Sequence, residues 1–303
     1  MFFVVLLFIG LYLLVKGSDY LVESSSDIAR HFGISELVIG LTLVSLGTSM
    51  PEFGVSIVAS FCGHADVSLG NIVGSNIYNI LVITGLIGFI TRYHFKSSEI
   101  LNRDIFWMLI TSIWLTLTAL DGYIGADVGV LFISSYLVYL IFLYNQNKEK
   151  KVVKEAAVTL KTYFLFLFSI ILIYFGAKLT VENAILLADA FGFTKWAISA
   201  SLIGAGTGFP ETVTSLVALR KRKLKISLGN IIGSNVFNIL VVVGFSSLAS
   251  PLVFNFNEVV LSFVFMLVAS VLLAFWAIKG SFHKKEALVA FCLYLLYLYL
   301  LYK

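Results

Sequence analysis

SLGNIVGSNIYNILV, Ser68–Val82, returns as SLGNIIGSNVFNILV, Ser227–Val241, with conservative exchanges at three positions. The repetition reaches outward from there. GTSMPE, Gly47–Glu52, returns as GTGFPE, Gly206–Glu211, and Gly17 and Glu23 match Gly176 and Glu182, all at one offset of 159 residues. A duplication that keeps one register over this distance has no internal slippage, and it frames the reading of every single residue.

The sequence around the motifs is apolar. Of 303 residues, 59% are hydrophobic and only 13% charged, against about 25% charged in an ordinary soluble domain. Its stretches repeatedly reach the roughly 20 residues that carry a helix across a ~30 Å hydrocarbon core. The expected fold is an all-α polytopic membrane protein with ten transmembrane helices near 2–22, 35–60, 68–90, 103–120, 125–144, 160–185, 195–218, 227–250, 257–279 and 285–302. The opening MFFVVLLFIGLYLLV lacks the basic start and small-residue cleavage site of a secretory leader and reads as the first span. Each copy holds five spans, an odd number, so the second enters the membrane from the opposite side. The domain reading is two inverted-topology five-helix repeats, 1–145 and 158–303, joined by a polar cytoplasmic linker at 146–157.

Basic residues gather in the loops after odd-numbered spans: Arg30, then Arg92, Lys96 and Arg103, then Lys148 to Lys154, then the RKRKLK run Arg220–Lys225, then Lys284 and Lys285. By the positive-inside rule these loops are cytoplasmic and both termini extracellular, in a multi-pass protein of the cell membrane. Orientation thus accounts for the net charge of +4, and no nucleic-acid partner is expected. Glu23 and Glu182, with Asp19 and Lys178 nearby, read as solvated or paired charges at span ends. Cys62 and Cys292 are isolated and lack metal-type spacing, so they read as packing residues, and no cofactor is implied.

Glu52 and Glu211 are different. A carboxylate inside a span costs on the order of 2.5–3.5 kcal/mol on insertion scales and normally marks a cavity or a pathway. Each follows a proline, Pro51 or Pro210, two of the three in the chain. Proline has no N–H, so the carbonyl four residues earlier loses its partner and the helix kinks or breaks, which membrane depth tolerates only beside protein or a polar cavity. Ser75 and Asn79 are four apart and share a helix face, as do Ser234 and Asn238. Two carboxylates, four neutral side chains and freed carbonyls form an all-oxygen ligand set. That set suits Ca2+, which takes 6–8 oxygens in irregular geometry, with Na+ able to use parts of it. The pattern suggests exchange of the two. The glycines of Gly70-x-x-x-Gly74 and Gly229-x-x-x-Gly233 also fit close helix packing. Asn76 and Asn235 lie one step off the Ser/Asn faces and suit hydrogen bonding between helices, while Asn71 and Asn230 stay open between the two roles.

These paired motifs, GTSMPE with GNIVGSN and GTGFPE with GNIIGSN, resemble the calcium/cation antiporter superfamily, and within it the prokaryotic-type sodium/calcium exchangers. The resemblance implies a secondary active Na+/Ca2+ antiporter working by alternating access, with Ca2+, Na+ and the bilayer as partners and a monomer as the unit. It implies Glu52 and Glu211 as the shared carboxylate ligands and the Thr48 and Thr207 carbonyls as completing the calcium site. It implies flanking sodium sites made by the hydroxyls of Ser49, Ser75 and Ser234 and the carbonyls of Ser45 and Gly204, with Asn79 and Asn238 at the middle of the cluster. Two departures stand out: Gly208 takes the place of a serine, and Asn238 stands where some relatives carry Asp. Proton/Ca2+ antiport through the same glutamates is the alternative. An enzyme is not expected, since a matched aspartyl pair and an H-E-x-x-H motif are both missing.

Overall fold

The computed structural model describes residues 2–91, 99–146, 158–188, 196 and 199–303. The expected linker beyond Gln146, as far as residue 157, lies outside the described residues, as do Arg92, Lys96 and Lys195 and the side chain of Glu182. The described chain is almost entirely helical. In order it forms α1 (Phe2–Phe32), α2 (Glu36–Thr48), α3 (Met50–Phe61), α4 (Ala65–Ile90), α5 (Glu99–Ala119), α6 (Ala126–Gln146), α7 (Leu160–Ala188), α8 (199–207), α9 (Phe209–Arg220), α10 (Leu224–Ala249), α11 (Phe256–Lys279) and α12 (Lys284–Leu301). One short antiparallel pair, Tyr123–Ile124 with Leu252–Val253, is the only sheet among the described residues.

Among the described residues, α4, α6, α10 and α11 are each long and apolar enough to cross a membrane, and α2 with α3 make a fifth span if their 49° bend is counted as internal. That is fewer than the ten spans the hydropathy suggests. Charged residues gather in the second half of α1, at Lys16, Asp19, Glu23, Asp27 and Arg30, and at the start of α5, at Glu99, Arg103 and Asp104.

The helices gather into two compact units, and each takes helices from both halves of the sequence. The first comprises Met1–Pro51, Leu137–Phe191 and Phe209–Ser234. In it α1 packs lengthwise on α7 and across α9, around Leu21, Val22, Ile28, Ile173, Val217 and Ile226. Polar contacts tie α1 to α9. Ser18 and Thr214 share a hydroxyl hydrogen bond of 2.8 Å, Arg220 meets Asp19 at 3.0 Å, and Lys221, just past α9, reaches Glu23 at 2.8 Å. Asp19 and Glu23 of α1 are therefore paired, and two members of the basic run have specific partners. The second unit comprises Glu52–Tyr136, Gly192–Gly208 and Asn235–Lys303. Here α8 lies against the first part of α4, α11 against α5, and α12 against the far end of α4.

Burial separates the helices by role. The windows of α4 and α10 are buried almost throughout, whereas α6 is mostly exposed. On α7, Phe164, Leu167, Ile171 and Phe175 form one exposed apolar stripe, and on α11 Val264, Val268, Val271 and Phe275 form another. Such stripes suit a lipid environment in which backbone polarity is already satisfied inside each helix. Glycine allows the central helices to approach the α2 and α8 backbones. A Cβ on Gly233 would stand 2.5 Å from the Leu41 carbonyl oxygen, and one on Gly74 would collide in the same way with the carbonyl of Ala200. The packing role expected for these glycines is thus met at both equivalent positions.

Candidate ion-binding site

Each GT-x-x-PE motif sits at a helix interruption with an unusual approach. Gly40–Val44 in α2 and Ser199–Ile203 in α8 are π-helical turns, as are Asn79–Ile83 in α4 and Asn238–Val243 in α10. At the first of them the Ser45 N–H reaches the Gly40 carbonyl, five residues back. Such turns are rare and gather at functional sites. Four residues after each of the first pair, the helix ends: Ser49 (φ −84°, ψ 10°) and Gly208 (φ −75°, ψ −1°) are its C-caps, still donating to the Ser45 and Gly204 carbonyls, and a new helix begins at Met50 or Phe209. Proline has a physical reason to be here, because the first turn of a helix needs no N–H from it. Glu52 and Glu211 consequently lie in first turns, where the helix dipole favours an ionised carboxylate.

In the first unit the polar residues converge on Glu211, which is fully buried. Its Oε1 accepts from the Ser49 hydroxyl at 2.8 Å and from the Ser234 hydroxyl at 3.2 Å. Thr48 donates to Asn230 Oδ1 at 2.9 Å, and the Asn230 amide donates to the Glu211 carbonyl at 3.3 Å and to Ser215 Oγ at 3.1 Å. The Ser45 hydroxyl turns back to the Leu41 carbonyl at 2.9 Å.

The second unit repeats the asparagine ties, here to the backbone carbonyl of Glu52, which is also fully buried. Thr207 donates to Asn71 Oδ1 at 2.9 Å, and the Asn71 amide donates to the Glu52 carbonyl at 3.3 Å and to Ser56 Oγ at 3.0 Å. Ser75 donates to the Gly204 carbonyl at 3.0 Å and shares a 3.2 Å contact with the Thr207 hydroxyl. Asn76 links helices as expected: Asn238 donates to Asn76 Oδ1 at 3.1 Å, and Asn76 donates to the backbone carbonyl of Asn235 at 3.4 Å.

Several buried polar atoms of these residues have no hydrogen-bond partner among the described residues: the oxygens Glu211 Oε2, Asn238 Oδ1 and Asn79 Oδ1, and the Asn79 amide nitrogen. Leaving such a group unsatisfied costs about 1–3 kcal/mol, more for a charge. Side chains retained at that cost suit a ligand that supplies the missing partner, and a hard cation takes oxygens of this kind. Thr48, Ser49, Glu211 and Ser234 are brought together in one unit, and Glu52, Ser75, Gly204 and Thr207 in the other. Asn71 and Asn230, open in the sequence between packing and ligation, join these clusters; Asn71, Ser75 and Asn79 fall at i, i+4 and i+8 on one helix face, as do Asn230, Ser234 and Asn238.

The profile of the sodium/calcium exchanger protein family matches residues 2–145 and 161–303. The chain belongs to that family. Its relatives span most of it. The sodium/calcium exchanger MaX1 of Methanosarcina acetivorans is 31% identical over 98% of this chain and 97% of its own, and the inner membrane protein YrbG of Escherichia coli is 33% identical over 81% and 79%. The sodium-calcium exchanger NCX_Mj, soaked with Na+ and Ca2+, superposes with a TM-score of 0.82 at 30% identity, covering 98% of this chain and 97% of that one. The protein is thus a multi-pass membrane antiporter of the exchanger family, and not an enzyme.

Proposed function

We propose that this exchanger is a secondary active Na+/Ca2+ antiporter of the cell membrane, working by alternating access, with Glu52 and Glu211 as the two carboxylates that take Ca2+ or Na+ in turn. The observation that carries the reading is the burial, around each glutamate, of neutral oxygen donors, together with the orphaned Glu211 Oε2, Asn238 Oδ1 and Asn79 amide. Two carboxylates neutralise one Ca2+, and Asn238 adds no further charge. Thr48 and Thr207 contribute carbonyls to Ca2+. Ser49, Ser75 and Ser234 contribute hydroxyls, and Ser45 and Gly204 carbonyls, to Na+. A serine hydroxyl that donates its proton to a carboxylate keeps its lone pairs for the cation, so the Ser49 and Ser234 bonds to Glu211 are compatible with ligation. Asn79 and Asn238 sit beside the ions.

Under this reading the chain spans the membrane ten times, as inverted repeats 1–145 and 158–303 linked by cytoplasmic residues 146–157. Counting α2 with α3, and α8 with α9, as single broken spans supports that number. Both termini face outward, the basic loops face the cytoplasm, and one chain is the working unit.

The test is Ca2+ uptake by the purified chain in liposomes under separately imposed Na+, K+ and H+ gradients. The expected outcome is uptake driven by an outward Na+ gradient and abolished in Glu211→Gln. Uptake driven only by a proton gradient would replace the reading with H+/Ca2+ antiport through the same glutamates, and absence of Ca2+ flux under every gradient would end it.

A further inference from the structure

We propose that Asn71 and Asn230 are positioning residues for the transported cation, each tying the threonine of one copy of the motif to the glutamate of the other copy. The inference rests on the ion-binding role given above to Thr48, Thr207, Glu52 and Glu211. Asn230 belongs to the second copy. Its Oδ1 accepts from Thr48, of the first copy, at 2.9 Å, and its Nδ2 donates to the carbonyl of Glu211, of the second, at 3.3 Å. Asn71 belongs to the first copy and does the converse, joining Thr207 at 2.9 Å to the Glu52 carbonyl at 3.3 Å. The remaining amide hydrogen goes to Ser215 at 3.1 Å in one unit and to Ser56 at 3.0 Å in the other. Those serines in turn donate to backbone carbonyls at the start of α10 and α4, Ser227 at 3.4 Å and Ser68 at 3.2 Å.

Chemistry selects asparagine for this position. One acceptor and two donors on a short, planar group match one hydroxyl, one carbonyl and one serine oxygen. Aspartate would lose both donations, and leucine would orphan all three partners. General helix-to-helix adhesion needs one bond to any neighbour, yet here the same three bonds recur in both units within 0.1 Å. The partners are the last helical residue before each break and a residue in the first turn after the other break. Holding the threonine hydroxyl orients its peptide unit, and holding the glutamate carbonyl fixes the root of the carboxylate. A binding constellation needs that support to within about 0.5 Å.

The test combines Ca2+ titration of uptake in proteoliposomes with thermal unfolding of the same purified chains. Thr48→Val is isosteric and removes only the hydroxyl, and Asn230→Ala removes the tie. Each is expected to raise the Ca2+ concentration for half-maximal uptake about tenfold, the loss of one net hydrogen bond. The double substitution should add little to the larger single effect. Thr48→Ser should recover most of what Thr48→Val loses, and Thr207→Val with Asn71→Ala should behave alike in the other unit. Fully additive losses, or a lower unfolding temperature with half-saturation unchanged, would overturn the tie. Thr48→Val alone decides the matter if Asn230→Ala does not fold. Absence of Ca2+ flux in the unsubstituted chain strikes the exchange reading instead, so the two failures are distinguishable.

Discussion

Around Glu211, serine hydroxyls from α10 and from the break after α2 converge on one carboxylate oxygen. Around Glu52 the same framework has a different lining. Ser75, the counterpart of Ser234, gives its proton to the Gly204 carbonyl, and the position equivalent to Ser49 is Gly208. The vacancy left by the missing side chain is filled. A Cβ on Gly208 would stand 3.0 Å from the Tyr78 ring and 3.1 Å from the Gly204 carbonyl, and Tyr78 is itself packed edge-on against Tyr294. The asparagine ties and glycine contacts recur in both units, while the groups offered to an ion do not. Duplication therefore preserved the scaffold and let the lining diverge: Ser49 offers a hydroxyl on one side, where on the other Gly208 offers none and lies against the Tyr78 ring.

The largest test of that contrast removes each charge separately. Glu211→Gln and Glu52→Gln are both expected to abolish Ca2+ uptake in folded protein, at least about a hundredfold by analogy with other buried charge losses; a transporting Glu52→Gln would mean the Gly208 side has lost its role. The scaffold comes next. Gly74→Ala and Gly233→Ala press a methyl group into equivalent backbone carbonyls, and overpacking of this kind costs about 1–3 kcal/mol or more. Matched losses of unfolding temperature in the two variants would show that the packing is the same on both sides. Ser49→Ala, which strips a charge-assisted bond from Glu211, should weaken Na+ and Ca2+ dependence by about 1.5–3 kcal/mol. Ser75→Ala should do less.

Gly208→Ser probes the divergence directly. Because Tyr78 occupies the space, the single substitution should lower stability by about 1 kcal/mol without steepening the Na+ dependence of uptake. Paired with Tyr78→Leu it gains room, and a steeper Na+ dependence is expected there. The smallest effect belongs to the α1 to α9 ion pairs. Arg220→Gln should change stability by less than about 1 kcal/mol, because Arg220 is more than half exposed and water screens its pairing with Asp19.

Much of this was legible in the chain. The offset of 159 predicts both breaks and both glutamates, because proline chemistry and the cost of a membrane carboxylate are local properties of a few residues. Partners across the sequence were less accessible. Nothing near Thr48 names Asn230, 182 residues away, and Arg220 and Lys221 fit the topological rule so well that pairing with Asp19 and Glu23 was not needed to explain them. The loss at Gly208 could be read, but not the ring that fills it. The π turns have no common sequence mark, since each trades one ladder hydrogen bond for a wider loop whose residues differ between Gly40–Val44 and Asn79–Ile83.

Those π turns have a further consequence. A regular helix advances about 100° per residue, so the extra residue held in Gly40–Val44 sets the rotational phase of everything between it and the break, and Ser199–Ile203 does the same in the other copy. Deleting one residue from either turn would restore an ordinary helix and rotate the following Gly-Thr pair by more than a quarter of a circle. The stretch resembles a vernier: an insertion invisible to hydropathy that decides which way the following Gly-Thr pair faces.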